Sequence, residues 1–188
     1  MQFKIDSYLS KTLFIIISIL LIIPGISYLF IYQNPDVRFL TSEWIYENIP
    51  NNALILSETA NVVDIPIVDT KQTHKNFRIV SFNFYDLDKD PNLQLQLNEY
   101  LTKAYYIFIP SRRIFMNHQN NDYPLLNSYY RKLFSGELGF KEIAKFTSYP
   151  KISLFGKTIR EYPDEAAEET WTVFDHPVIR IYQRSTTN

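Results

Sequence analysis

The residues able to do chemistry are few and scattered. Three histidines, His74, His118 and His176, lie more than forty residues apart, so none forms a short-spaced pair of the kind that seeds a zinc site. No serine sits in a G-x-S-x-G elbow, which leaves a serine hydrolase without its usual nucleophile setting. Two polar groups follow apolar runs: Glu58 after ALILS, and Ser111-Arg112-Arg113 after AYYIFIP. In open α/β sheets ligand crevices lie beyond the carboxyl ends of the strands, so Glu58, Ser111, Arg112 and Arg113 form a candidate binding cleft. A guanidinium fork there matches a phosphate or carboxylate. The competing reading is structural: Ser111 caps a short helix and an arginine pairs with Glu58 or a nearby acid. The acids Asp164, Glu165, Glu168 and Glu169 lack the alternating ligands and turn glycine of a calcium loop. They read as an acidic helical turn after Pro163. Asp175-His176-Pro177 reads as a structural corner, because the residue before a proline is driven to extended geometry. Neither a catalytic residue, a metal site nor a cofactor is assigned.

These groups need elements to hold them. Asn34-Pro35-Asp36 predicts a helix start, with Asn34 as cap and Val37, Leu40, Trp44, Ile45 and Ile49 along one face. Ala53 to Glu58 reads as a buried strand, Thr59 to Asn76 as a loop with short extended pieces, and Phe77 to Phe82 as a second strand. Asp90-Pro91 starts a helix carrying Leu93, Leu97, Tyr100 and Leu101, although LQLQL also alternates like a strand. Ala104 to Ile109 is the clearest buried strand, Met116 to Pro124 a polar loop, and Leu125 to Phe134 a strongly striped helix closed at Ser135-Gly136. Phe140 to Tyr149, Ile152 to Phe155, Thr170 to Phe174 and Val178 to Tyr182 are the remaining expected strands, the last two as a pair. The alternation of helices and strands predicts an α/β domain with a mixed, largely parallel sheet and a C-terminal antiparallel strand pair.

Residues 13–32, LFIIISILLIIPGISYLFIY, carry no charge. At about 1.5 Å per residue they reach about 30 Å, a bilayer's hydrocarbon thickness. A transmembrane helix is favoured over a cleaved signal peptide, since the apolar run resumes after Pro24-Gly25 and no small-x-small site follows. Lys4 and Lys11 precede the span and only Arg38 closely follows it, which places residues 1–12 in the cytoplasm and residues 35–188 outside as an extracytoplasmic α/β domain. Tyr28 and Tyr32 suit the outer interface. The expected location is thus the cell membrane, with a single pass and the lipid bilayer as a partner. A net charge of −1 provides no broad phosphate-neutralising surface, which argues against nucleic acid. The absence of cysteine excludes disulfides and thiolate metal sites. Four glycines against fourteen asparagines leave Asn to fill turn positions.

Several segments together resemble a known family. They are Arg38, Trp44-Ile45 and Asn48-Ile49-Pro50, the strand with Glu58, AYYIFIPSRR, the YYRKLFSGELGF run from Tyr129 to Phe140, and EETWTVFDHP from Glu168 to Pro177. The set resembles the C-terminal extracytoplasmic region of bacterial GT-C-class membrane glycosyltransferases, similar to dolichyl-phosphate-mannose protein mannosyltransferases. In that family, the resemblance implies, a multi-span body binds a polyprenyl-phosphate sugar, and acids of an early outer loop act in the transfer. This chain has one such span and no matching loop, so no catalytic residue carries over and no activity is expected of the isolated chain. It reads as a domain that acts with a multi-span glycosyltransferase subunit, or as a split or truncated tail of one. The alternative is a single-pass, membrane-tethered ligand-binding or protein-interaction module of the cell envelope. A hydrolase resting on Asp175 and His176 ranks third.

Overall fold

The computed structural model describes residues 7–59, 67–69 and 73–185. The chain divides into two compact units, Met1–Asn34 with Tyr149–Asp164, and Pro35–Ser148 with Glu165–Asn188.

In the first unit, α1 runs Ser7–Leu29 and passes into a 3-10 turn, Phe30–Gln33. The helix continues through Pro24, and the Ser27 hydroxyl donates to the Pro24 carbonyl at 2.7 Å. Long apolar side chains on most sides of α1 are exposed, including Leu13, Phe14, Leu20 and Leu21. The helix is long and apolar enough to cross a membrane. The helix and the 3-10 turn pack against β5, Lys151–Leu154, of a hairpin completed by β6, Lys157–Glu161, and Ser27 and Ile31 are buried. The strand expected at Ile152 to Phe155 is β5, whereas β6 was not anticipated.

The second unit is a five-stranded mixed sheet with helices. Its elements are α2 (Val37–Asn48), β1 (Leu54–Glu58), β2 (Arg78–Phe82), α3 (Pro91–Lys103), β3 (Tyr106–Ile109), α4 (Arg113–Asn117), α5 (Pro124–Ser135), β4 (Phe140–Phe146) and β7 (Ile179–Arg184). The strand order is β2-β1-β3-β7-β4, with β2, β1 and β3 parallel and β7 antiparallel to both β3 and β4. Successive residues of a strand face opposite sides, and the core divides accordingly. Leu56, Ile107 and Ile109 join a cluster with Leu97, Leu126 and Leu133 from α3 and α5. Ile55, Tyr106 and Phe108 join a second cluster with Ile45 and Ile49 at the end of α2. The β2 edge is short and mostly exposed, which limits further strand pairing.

Several local expectations change. Asp36, not Asn34, caps α2, accepting from the Arg38 backbone N–H at 2.8 Å. Leu40 is exposed and the buried face of α2 runs through Val37, Thr41 and Ile45, because Thr41 turns its hydroxyl back to the Val37 carbonyl at 2.7 Å and can be buried. LQLQL is helical, started by Asp90, whose side chain accepts from Asn92 N–H. Much of Thr59 to Asn76 lies outside the described residues. Glu165 to Ala167 form turns and bends rather than a helical turn.

The largest correction is Thr170–Asp175, which is a π-helix instead of a strand. Its β-branched residues favour a strand locally, but tertiary bonds win. The Thr172 hydroxyl donates to the Glu168 carbonyl at 3.1 Å and accepts from Arg112 Nε at 2.7 Å. A wide turn closes with the His176 N–H on the Trp171 carbonyl at 3.1 Å. The C-terminal antiparallel pair therefore consists of β4 and β7, not two neighbouring segments.

Candidate functional site

In the order β2-β1-β3-β7-β4 the chain leaves β1 for β2 on one side and leaves β3 for β4 and β7 on the other, so a crevice is expected at the carboxyl ends of β1 and β3. Glu58 ends β1, and Ser111-Arg112-Arg113 follow β3. The geometry places all four at that end, yet the crevice is closed by the chain's own side chains. Glu58 is 1% exposed and Ser111 is fully buried.

Glu58 accepts a hydrogen bond from the Tyr130 hydroxyl at 2.5 Å. Tyr130 and its neighbour Tyr129 stand on the buried face of α5, which the Asp88 carboxylate starts by accepting the N–H groups of Leu125 and Leu126 at 2.7 and 3.1 Å. Burial, reinforced by the Glu58 charge, pushes both phenols well above the ordinary tyrosine range. They stay neutral, so Tyr130 remains a donor. Phe84 stacks on Tyr129 with ring centroids 4.8 Å apart, which fixes that ring.

The arginines separate. Arg112 turns to the π-helix, donating to Thr172 Oγ1 and to the Ala167 carbonyl at 2.5 Å, and is a structural clamp. Arg113 pairs with Glu169 at 3.3 Å and lies over the Phe174 ring, 5.7 Å from its centroid. Its backbone N–H is accepted by Ser111 Oγ at 3.2 Å, but the cap position of α4 is Arg112, without a side-chain cap bond, so Ser111 is not the expected cap; the expected pairing of an arginine with a nearby acid is met by Arg113 and Glu169. Tyr85 links the two halves. Burial raises its phenol, the Arg113 charge opposes that, and the Glu58 and Glu169 charges add to it. Tyr85 Oη and Arg113 Nη1 are buried with no hydrogen-bond partner except each other, and Tyr129 Oη is buried with none.

The result is a partly buried cluster of two carboxylates, Glu58 and Glu169, three phenols, two guanidinium groups and the Thr172 hydroxyl, whose chemistry in this geometry is hydrogen bonding. Tyr85, Tyr129, Tyr130, Thr172 and Glu169 were not singled out from sequence as members. Tyr129 and Tyr130 were visible only as part of an apolar stripe, and nothing in the linear spacing ties them to Glu58.

Asp175, His176 and Pro177 form the expected corner, though it joins the π-helix to β7 rather than two strands. His176 is 2% exposed, and its Nδ1 lies 3.1 Å from Asp175 Oδ2. Among the acids of the 164–169 stretch, Glu165 takes both Arg180 terminal nitrogens at 2.6 Å, and Glu168 accepts the Thr170 N–H at 2.8 Å. No group of three or more potential metal ligands occurs among the described residues. A second concavity of about 450 Å³ lies between the end of α5 and β4, with Glu142, Tyr182 and Phe134 in its wall.

A unit with a mixed α/β sheet and a closed polar corner, and a separate unit built on an apolar helix, are the class these observations define. Compared with family models, curated proteins and solved structures, the chain matches none.

Proposed function

We propose that the chain is a single-pass cell-envelope membrane protein whose α/β unit lies on the outer side and works with, or as the tail of, a multi-span polyprenyl-phosphate-dependent glycosyltransferase. Alone it transfers no sugar. The carrying observation is α1: Phe14, Leu20 and Leu21 are exposed around a helix of 23 residues, a surface that requires lipid or other apolar helices as solvent. Glu58 and Arg112, the groups nearest a catalytic arrangement, are already engaged in bonds that hold α5 and the π-helix. The GT-C resemblance of the Tyr129 to Phe140 and Glu168 to Pro177 runs supplies the glycosyltransferase part of the reading.

Two measurements test it. Alkaline carbonate washing leaves the chain with the membranes, and protease added to intact cells stripped of their wall reaches Glu161 but not Lys4. Affinity purification from native membranes then recovers a protein with about eight or more spans and paired acids in its first outer loop. Recovery of the chain alone, or with soluble proteins only, overturns the glycosyltransferase link.

A second reading, a membrane-tethered ligand-binding module, is favoured by the buried Tyr85 hydroxyl and Arg113 Nη1, which have no hydrogen-bond partner except each other. It predicts that an oxyanionic ligand binds the full chain and that Arg113→Ala abolishes this while Arg131→Ala does not. A flat response across sugar phosphates, polyprenyl phosphates and acidic peptides ends it.

A further inference from the structure

The five-stranded sheet ends on β4, and that edge is open. β4 is seven residues long, the longest strand of the sheet, and among the described residues its backbone pairs only with β7. Lysines and bulges on an edge strand commonly keep other strands away, and β4 has both. Their arrangement is nevertheless self-complementary. Ile143 is the extra residue of a bulge, since the register with β7 passes from Glu142 opposite Tyr182 to Ala144 opposite Ile181. Directly opposed residues point to one face of a sheet, so Glu142 shares the face of Tyr182, and Lys145 shares the face of Arg180. The Tyr182 hydroxyl and Arg180 Nε both reach Glu142 Oε2, at 3.1 and 3.8 Å, so the two faces are one. Regular alternation would put Glu142 and Lys145, three positions apart, on opposite faces. With Ile143 set aside the strand reads F-K-E-A-K-F. A two-fold axis at Ala144 then sets Glu142 against the partner's Lys145, and Lys141 against the partner's Phe146. Arg180 is held by Glu165 at 2.6 Å, and the Glu142 side chain is 39% exposed, which leaves its carboxylate room for a second cation. The Lys145 ammonium meets no acid of its own chain among the described residues.

We propose that the α/β unit pairs through β4 with β4 of a second copy of this chain, antiparallel, so that the two five-stranded sheets become one, held by two Glu142–Lys145 pairs across the axis. Such an interface is isologous, the same patch on both subunits, as in most homodimers. It concerns the α/β unit alone and stands apart from the glycosyltransferase reading.

The chain has no cysteine, so one introduced thiol reports the register. In native membranes treated with a mild oxidant, Ala144→Cys is expected to give a disulfide-linked dimer, because its two copies face each other with Cα atoms about 4.5–5.5 Å apart. Lys141→Cys is expected to give none, because its copies stand four positions apart along the strands, about 14 Å. Light scattering of the full chain in mild detergent reads the mass over a range of concentrations. Lys145→Glu turns both pairs repulsive and should weaken the dimer about tenfold. Glu142→Lys should do the same, and mixing the two variants should restore a dimer, since each then offers what the other lacks. Glu142 touches Tyr182 and Arg180, so where Glu142→Lys does not fold, Lys145→Glu and the two thiol variants decide. A monomer at every concentration, or equal cross-linking at positions 141 and 144, overturns the interface. So does a dimer indifferent to Lys145→Glu, which would be held by α1 instead. A cross-link from Ala144→Cys to a different protein overturns the second copy as the occupant of this edge.

Discussion

Along β3, Tyr106, Ile107, Phe108 and Ile109 are all at most 5% exposed, whereas Phe14 and Leu21 of α1 are 71% and 75% exposed. The residue types are similar and their roles differ. In the α/β unit, apolar side chains are covered by neighbours on both faces of the sheet and by helices, so their removal from water stabilises the fold. In α1 most side chains are covered by nothing in the chain, so they stabilise only in a solvent that the protein does not itself supply. The same truncation therefore destabilises the α/β unit in one case and leaves it unchanged in the other.

The sharpest way to break this comparison is to truncate both. Phe108→Ala removes a fully buried ring and is expected to cost about 3–5 kcal/mol. Leu21→Ala in α1 is expected to leave the unfolding of the α/β unit unchanged. Urea titration of the full chain in detergent, followed by far-UV circular dichroism, reads both. Equal losses would mean that α1 is part of the same cooperative core.

Polar contacts sharpen the contrast next. Arg180 is 13% exposed and meets Glu165 through two bonds of 2.6 Å, with the Phe115 ring beneath it. Arg180→Ala leaves Glu165 without its partner and is expected to cost about 3 kcal/mol, the lower end for a broken buried pair. The exposed pair of Lys103 and Glu99 provides the reference: Lys103→Ala should cost no more than about 0.5 kcal/mol. Chemical denaturation at two salt concentrations checks both, since only the exposed pair is screened.

How far the sequence announced these features depended on how local their causes are. The stripe from Leu126 to Leu133 and the left-handed Gly136 at φ 84° placed α5 correctly, and the uniform apolar run to Ile109 placed β3, because one segment holds all the information. Thr170 to Phe174 failed for the opposite reason. Its conformation is set by Arg112, sixty residues away, and by a bond back to Glu168. The candidate cleft was half legible. Topology placed Glu58 and Ser111 to Arg113 at one end of the sheet, but only side-chain geometry revealed that Tyr130 occupies Glu58 and that Arg112 points elsewhere.

The Glu58 corner allows the comparison to be tested by pH. Tyr129, Tyr130 and Tyr182 all have phenols raised by burial and by neighbouring carboxylates. Below about pH 10 these phenols keep their protons in both folded and unfolded chains, so they add no pH dependence. Above it the unfolded chain releases protons that the folded chain retains, and stability falls with rising pH. Each such tyrosine contributes up to about 1.4 kcal/mol per pH unit. Tyr130→Phe is expected to cost about 1.5–3 kcal/mol at neutral pH through the lost bond to Glu58. It should also make the alkaline decline shallower, because one proton difference is gone. An unchanged alkaline slope would mean that Tyr130 ionises as readily folded as unfolded.

The smallest effect belongs to the hairpin of the first unit. Phe155 and Gly156 form the two-residue turn between β5 and β6, with φ of 50° and 77°, and the Phe155 side chain is 96% exposed. Turns with positive φ at both central residues match the twist of a hairpin and favour Asn-Gly, because Cβ crowds the following carbonyl there and only a short amide offsets this by bonding the local backbone. Phe155 thus combines an unfavourable backbone with an unburied ring and gains no contact within the fold. Phe155→Asn is expected to stabilise the hairpin by about 0.5–1 kcal/mol, seen as slower amide exchange across Ile152 and Thr158. The change at a glycine in a left-handed conformation, Gly136→Ala at the end of α5, should destabilise the α/β unit by about 1 kcal/mol. If Phe155→Asn instead speeds exchange, the ring is held by something outside the chain, and the apolar surface of the first unit extends beyond α1 to the hairpin tip.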